Sequence, residues 1–412
     1  MQSPMYAGFD MSEKHAELGL IGKTGELILE GKRFSNNLSG ARAIETDLAQ
    51  QAKAYSADAL LIATEATSFF DWHLLEFLAQ STLLAPYCPQ IYRLNPKWVK
   101  RYKEIDSETD KTDTIDAIAI ADRVRVRVPK HRFNANMDYL PLQRLTRFRA
   151  HLARQIADEK NYFLAHLFLK FSAFSAVEPF SNTFGATATA VVEEFFSVDQ
   201  LAETGVETLL KFVVKHGKNR FTAPEGVVAK LEQVARESYR IRPELSKSVN
   251  LVLATTLNNI RALKQSLVEV NAAIETALNG FELTLATIPG IGPTYCAGIF
   301  AEIGDIDRFS KEASLARYAG LAWRKHQSGD FEADETPMMR SSNKYLRYYL
   351  VEAANSVRNH EVSYQAYYRK KYNEVSRHQH KRALVLTARK LVRLIYTLLK
   401  NGQIYQQKKV KN

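Results

Sequence analysis

A chain of 412 residues exceeds one typical domain, and with 46% hydrophobic residues it carries enough apolar material for two or three ordinary cores. Its two cysteines, Cys88 and Cys296, exclude a disulfide framework and a thiolate zinc cluster. The formal charge of +11 is unevenly placed: residues 340–412 hold seventeen Lys or Arg against three Asp or Glu, which points to a polyanionic partner, most often nucleic acid.

The N-terminus lacks the basic-then-apolar pattern of a secretory signal, and no apolar run approaches the ~20 residues a membrane helix needs. A cytoplasmic protein with no membrane partner is the expectation. Residues 6–12 and 15–21 are apolar-rich, and Gly22-Lys23-Thr24-Gly25 is a turn signal before residues 26–30, so the chain opens with a meander of strands. Residues 41–55 carry a helical pattern, 59–65 read as a buried strand and 69–81 as a helix. A further strand over 90–94 is closed by Asn95-Pro96. A helix then runs from about Thr112 until Pro129 stops it. The alternation predicts an α/β sheet of mixed direction.

That last helix carries the first chemistry. In Lys111-Thr112-Asp113-Thr114-Ile115-Asp116-Ala117 two carboxylates three residues apart share one helix face. They form half a site for a hard divalent ion such as Mg²⁺, which takes oxygen ligands and acts on phosphates. Asp10 and Glu65 each close a short apolar run, and parallel strands deliver their ends to one edge of a sheet. Asp10, Glu65, Asp113 and Asp116 are therefore expected to converge. A blander reading makes Asp110 an N-cap, Asp113 a first-turn acid favoured by the helix dipole and Asp116 a solvated residue.

Residues 140–174 form a long helical stretch with interspersed aromatics, and 175–225 read as shorter helices. After Pro243 the spacing of Val249, Leu253, Thr256, Ile260, Leu263 and Leu267 is a heptad seam, which fits either a helix buried in its own domain or a coiled coil with a second protomer. Ile288-Pro289-Gly290-Ile291-Gly292-Pro293 matches a helix-hairpin-helix turn, in which Gly290 and Gly292 let backbone N–H groups face a phosphate; an ordinary turn between helices is the alternative. Ser328 precedes a flexible Gly329 and follows Arg324, Lys325 and His326, the setting of a hydroxyl that attacks a phosphodiester, although most loop serines are inert. From Lys344 onward, cations including Arg347, Arg369, Lys370 and Lys371 interleave with tyrosines. Such a surface binds phosphate and stacks bases, or is a solvated face with its tyrosines in the core.

With these motifs in place the chain resembles the DEDD transposases of the insertion-sequence one-ten family. The resemblance runs over nearly the whole length, through Gly8-Phe9-Asp10-Met11-Ser12, Thr64-Glu65-Ala66-Thr67, Lys111-Thr112-Asp113 with Asp116-Ala117, Ile288-Pro289-Gly290-Ile291-Gly292, Tyr318-Ala319-Gly320-Leu321, Gln327-Ser328-Gly329 and Tyr345-Leu346-Arg347. It implies a RuvC-like, RNase H-type domain over 1–135, a helical coiled-coil region over 136–280, and a mostly helical transposase domain over 281–412. It further implies an acidic tetrad of Asp10, Glu65, Asp113 and Asp116 with Mg²⁺, and Ser328 as a nucleophile that forms a phosphoserine link to DNA. The implied partners are element-end and target DNA and a guiding bridge RNA, while the heptad seam favours at least a dimer of the chain. Where many relatives carry a glycine, this chain has Ser341-Ser342-Asn343, which leaves Ser342 as a second candidate nucleophile. The competing functions are a metal-dependent junction nuclease and a non-catalytic nucleic-acid scaffold. An actin-like sugar kinase, raised by Gly8-Phe9-Asp10-Met11-Ser12, is discounted because the later glycine-rich phosphate turns are missing.

Overall fold

Alternation along the first strand decides the architecture of the N-terminal unit. In β1 (Pro4–Met11), Met5, Ala7 and Phe9 face one side and Tyr6, Gly8 and Asp10 the other. The strand pairs antiparallel with β2 (His15–Ile21), which pairs antiparallel with β3 (Leu27–Ser35); on its other side β1 runs parallel to β4 (Ala59–Glu65), itself parallel to β5 (Gln90–Leu94). The order is β3-β2-β1-β4-β5, a mixed sheet as expected. Helices α1 (Leu38–Ala54) and α2 (Trp72–Ala79) cover the Met5 face through Ile44, Leu48, Leu75 and Leu78. The Tyr6 face is covered by α3 (Pro96–Lys103) and α4 (Asp113–Val126), through Val99, Ile120, Ala121 and Val124. The computed structural model describes residues 3–104, 112–133, 138–281, 284–323, 327–328, 331–332, 338–339 and 342–407. They divide into two compact units, Met1–Asp138 and Tyr139–Asn412.

Two elements depart from the sequence reading. Asn95-Pro96 starts a helix as well as ending a strand: the Asn95 side chain accepts from the Lys97 amide at 2.9 Å, and Pro96 takes the first helical position, where its missing N–H costs nothing. Helix α2 begins at Trp72 rather than 69. Residues before it are held as a loop by buried Asp71, which accepts from Thr64 Oγ1 and from Arg93 Nε and Nη2 at 2.6–2.9 Å.

Helix α4 lies on a bare patch of the sheet. Gly8 and Gly19 are direct partners in the β1–β2 ladder. A Cβ built on Gly8 would stand 2.0 Å from the Ala117 carbonyl oxygen and 2.5 Å from the Ala121 nitrogen, and one on Gly19 would stand 2.9 Å from the Ile118 nitrogen. These are backbone atoms of α4, so they cannot swing aside.

The C-terminal unit is helical. Its two long helices, α5 (Leu140–Lys170) and α11 (Pro243–Leu278), lie antiparallel: Arg149 near the start of α5 bonds Asn271 near the end of α11, and Lys170 bonds Asn250 at the other end. Between them in sequence come α6 (Phe174–Val177), α7 (Ala186–Glu194), α8 (Val198–Glu203), α9 (Val206–Gly217) and α10 (Pro224–Glu237). They share a core with Phe163, Leu167, Val249, Leu253 and Leu257. The seam of α11 thus packs on α5 of its own chain at both ends, while Leu263, Leu267 and Val270 between them are only half-buried. Beyond it, α12 (Pro293–Ile303), α13 (Glu312–Ala319), the short pair β6 (Gln327–Ser328) and β7 (Phe331–Glu332), α14 (Lys344–His360), α15 (Val362–Asn373) and α16 (Gln379–Asn401) complete the unit. The core joining these helices includes Ile299, Leu315, Leu350, Val357, Leu391 and Ile395. Among the described residues no helix is long and apolar enough to cross a membrane.

Glu302 is the polar pin of this unit. Its side chain is fully buried and accepts from Arg147 Nε and Nη2 at 2.6 and 2.9 Å and from Asn343 Nδ2 at 2.7 Å. Asn343 in turn caps α14 through the Tyr345 and Leu346 amides.

Two stability changes follow. Gly8→Ala must lift α4 from the sheet and is expected to cost about 3 kcal/mol in chemical denaturation, with faster amide exchange in α4; parental exchange would mean the helix is not seated on this patch. Arg147→Met leaves a carboxylate buried and uncompensated and is expected to cost about 3–5 kcal/mol.

Candidate active site

The four acids singled out by sequence come to one edge of the sheet. Asp10 and Glu65 each follow by one residue the parallel pair Phe9 and Thr64, so they stand side by side at the C-terminal ends of adjacent strands. On its other side Asp10 is paired with Glu17 of β2, and Glu17 with Arg33 of β3. In-register neighbours point to the same face, so Arg33, Glu17, Asp10 and Glu65 form a charged row across four strands. Asp10 lies two residues beyond Gly8, on the face that α4 covers. The first turn of α4, with Asp113 and Asp116, sits above that row. Thr112 caps the helix, its Oγ1 accepting from the Ile115 amide at 3.2 Å, which fixes where both acids project. Asp110 and Lys111 lie outside the described residues.

Two cations answer this charge. Lys103, delivered by the end of α3, places Nζ 2.7 Å from Asp116. Arg33 bridges Glu17 at 3.0 Å and Asp113 at 2.8 Å, and Glu17 also accepts from Thr114 Oγ1 at 3.2 Å. Helix α3 is tied to α4 by Tyr102, whose hydroxyl donates to Asp122; burial, with Asp122 adding, pushes that phenol up to about 12. Burial raises the Asp10 carboxyl above its ordinary range; the charges of Asp116 and Asp113 add to the shift, while the Lys103 ammonium opposes it. Glu65 is raised in the same way by burial, with Lys103 opposing and Asp10 and Asp116 adding. The acids therefore feel one another.

Among the described residues, no three carboxylate, imidazole or thiol groups stand close enough to hold one ion as they lie. Asp116 and Asp113 are drawn to Lys103 and Arg33 instead. The chemistry of the set fits a hard divalent ion nonetheless. All its donors are oxygens, and two of its carboxyls are raised, first by burial and then by neighbouring negative charge.

Ser328 belongs to the other unit. It ends β6 and pairs with Phe331 of β7, so it stands at the tip of a small antiparallel hairpin rather than in an irregular loop. Arg324, Lys325 and His326 lie outside the described residues. The neck of the hairpin is well held. Trp323 bridges Met338, the Met339 amide donates to Ala322 O at 3.0 Å, and the Asn343 amide donates to Tyr318 O at 2.8 Å. Arg347 reaches both sides of this neck, donating to Ala319 O at 3.2 Å and to Met339 O at 3.0 Å, and to the Ser342 hydroxyl.

The remaining expected contacts divide. Gly290 has φ +92°, and a Cβ there would stand 2.9 Å from Val357 of α14, so this glycine packs against a helix; Gly292 faces open space at the start of α12. Among the described residues, the element directly before this Pro-Gly turn is a 3-10 turn, Thr284–Thr287. Tyr349, Tyr364 and Tyr368 are buried, whereas Lys344, Arg369 and Lys370 are exposed. Tyr345, Tyr348, Tyr367 and Tyr372 are half-buried, between these extremes. Lys371 is half-buried and paired with Glu374 at 2.6 Å.

Sequence reasoning passed over Glu17, Arg33 and Lys103. A pH effect follows from the two raised carboxyls. Both keep their protons to higher pH when folded than when unfolded, so their ionisation costs stability above that range, and the cost is relieved as pH falls through it. Asp10→Asn is expected to raise the urea midpoint of the metal-free protein at neutral pH and to match the parent once the carboxyls are protonated. A lower midpoint at neutral pH would show that pairing with Lys103, rather than repulsion, sets the balance.

Comparison with known proteins gives this geometry its context. Residues 7–171 match the DEDD model of IS110 type, described as a transposase, and residues 283–369 match the model described as transposase IS116/IS110/IS902 family. The insertion element IS116 uncharacterized 44.8 kDa protein of Streptomyces clavuligerus is 24% identical over 411 residues, 97% of this chain and 96% of the relative. The transposase for insertion sequence element IS1111A of Coxiella burnetii is 25% identical over 176 residues, 42% of this chain and 47% of its own. A pilin gene-inverting protein of Moraxella bovis is 36% identical over 102 residues, 23% of this chain and 32% of its own. Matched in both units by models of one family, and along nearly its whole length by an insertion-element protein, the chain belongs to the IS116/IS110/IS902 family of transposases.

Proposed function

We propose that this transposase cuts and rejoins DNA through a covalent bond to Ser328, assisted by Asp10, Glu65, Asp113 and Asp116. The observation that carries the reading is the gathering of four acids, distant in sequence, at one sheet edge under the first turn of α4. In the step itself the Ser328 hydroxyl gives up its proton and its oxygen bonds to phosphorus. The bond from phosphorus to one deoxyribose oxygen breaks, and that oxygen leaves with a proton. One phosphoester replaces another, so rejoining needs no ATP.

The four carboxylates would hold a divalent ion, Mg²⁺ in this reading, whose charge offsets that on the phosphate oxygens. Arg324, Lys325 and His326 are the cations nearest in sequence to Ser328 and serve the same end. Arg347 acts by holding Ala319 and Met339 on either side of the segment that carries Ser328. The three regions 1–135, 136–280 and 281–412 then correspond to an RNase H-type catalytic domain, a helical coiled-coil region and the serine-bearing domain. Exposed Lys344, Arg369 and Lys370 supply phosphate contacts for DNA and for a guiding RNA. The half-buried Leu263 and Leu267 of α11 are the place for a second protomer to pack.

Incubating the full chain with element-end DNA and Mg²⁺ tests the reading. Ser328→Ala is expected to lower strand cleavage by about 10⁴-fold or more and to abolish protein–DNA adducts, while Ser342→Ala keeps them. Adducts that survive Ser328→Ala and vanish in Ser342→Ala would move the nucleophile. Cleavage with free ends alone would make the chain a junction nuclease.

A further inference from the structure

A second charged site lies in the helical unit, away from the serine hairpin. The end of α5, the start of α8 and the first turns of α11 enclose an open cavity of about 690 Å³. Lys170 is part of its lining although its side chain is buried, at 2% exposure. An amine in such a place is expensive to desolvate and is rarely kept without a use. Its ammonium has three donors, of which one goes to Val192 O at 2.6 Å and one to Asn250 Oδ1. Burial pulls it down to about 8.

Arg240 and Lys247 line the same cavity and carry their charge at its surface, against a single carboxylate, Asp199, which accepts from Arg240 at 3.1 Å. At the rim the Phe196 ring is 61% exposed, with the Lys170 ammonium 5.9 Å from its centroid. The N-cap of α11, Arg242, makes no side-chain capping bond; Pro243 at the first helical position has no N–H to offer, and Glu244 adds an acid to the same turn.

We propose that this cavity is a subsite for one nucleotide of a single-stranded nucleic acid, with its phosphate among Lys170, Arg240 and Lys247 and its base lying on the Phe196 ring. Cations on one wall and an exposed aromatic at the rim are the two parts such a subsite requires: the first holds the backbone, and the second offers a face to any base. An acidic peptide would use the cations and leave the ring without a partner. The assignment does not depend on the acid cluster or on Ser328, and it stands or falls separately from them.

Photo-crosslinking of the full chain tests it, with two short single strands, one DNA and one RNA, each bearing 5-iodouracil. The expected result is an adduct on Phe196, found by peptide mass spectrometry with at least one strand, and weakened about tenfold in affinity by Lys247→Ala or Arg240→Ala. Both side chains are exposed; Arg240 also donates to Asp199 and to the Ser238 carbonyl at 3.0 Å, so its variant is checked by circular dichroism as well. Lys170→Gln, checked by circular dichroism, is expected to weaken it at least as much. If adducts formed only on α14 to α16, or if the Phe196 adduct were indifferent to the cation variants, the proposal would fall. Displacement of the strand by polyglutamate as readily as by unlabelled strand would overturn it too, because the site would then read charge and not a nucleotide.

Discussion

Everything at the acidic edge depends on how closely one helix can approach one pair of strands. Gly8 and Gly19 face each other across the β1–β2 ladder and leave room for the backbone of Ala117, Ile118 and Ala121. A helix seated that low carries its first turn over the ends of β1 and β4, where Asp10 and Glu65 emerge. Any side chain at Gly8 would raise α4 by the width of a methyl group, and the acids above and below would part. The glycines thus act on the site through distance alone.

The same closeness has an electrostatic cost. Five carboxylates, with Glu17 included, are gathered at one edge, and Asp10 and Glu65 have a raised proton affinity, first through burial and then through neighbouring acids. Lys103 and Arg33 offset part of this charge. A fold that tolerates such a cluster gives up stability there, a trade common at functional sites. The helical unit follows the same logic. Glu302 is buried but fully answered by Arg147 and Asn343, and from it hang the cap of α14 and the base of the Ser328 hairpin. The two cases differ because Glu302 has partners for both oxygens, whereas the sheet-edge acids share too few.

Much of this was readable in the residues, and the omissions have physical causes. Asp10 and Glu65 stood out because each ends an apolar run, and a strand ending in an acid puts that acid at a sheet edge. Glu17 did not, since it sits inside a run; yet the turn over Ser12 to His15 sets it opposite Asp10, and counting the register would have found it. Lys103 was hidden because Pro96 was read as a stop, whereas after Asn95 it is equally a start. Arg33 needed the third strand's register. In the C-terminal helices the interleaved pattern could not separate rings from cations, because a tyrosine at helical spacing serves a core and a nucleic-acid face equally well; packing sends Tyr349, Tyr364 and Tyr368 inward. The heptad seam was plain, but its first partner, α5, lies about a hundred residues upstream, beyond the reach of local periodicity.

The central claim is that the seat of α4 brings the four acids within reach of one ion once Lys103 and Arg33 let go. Anomalous diffraction from crystals grown with Mn²⁺ tests it most directly. The account predicts one manganese peak bounded by Asp10, Glu65 and at least one of Asp113 and Asp116, with the Lys103 ammonium turned away from Asp116. Crystals that show the acids still paired with Lys103 and Arg33, and manganese absent from this edge at saturating concentration, would contradict it.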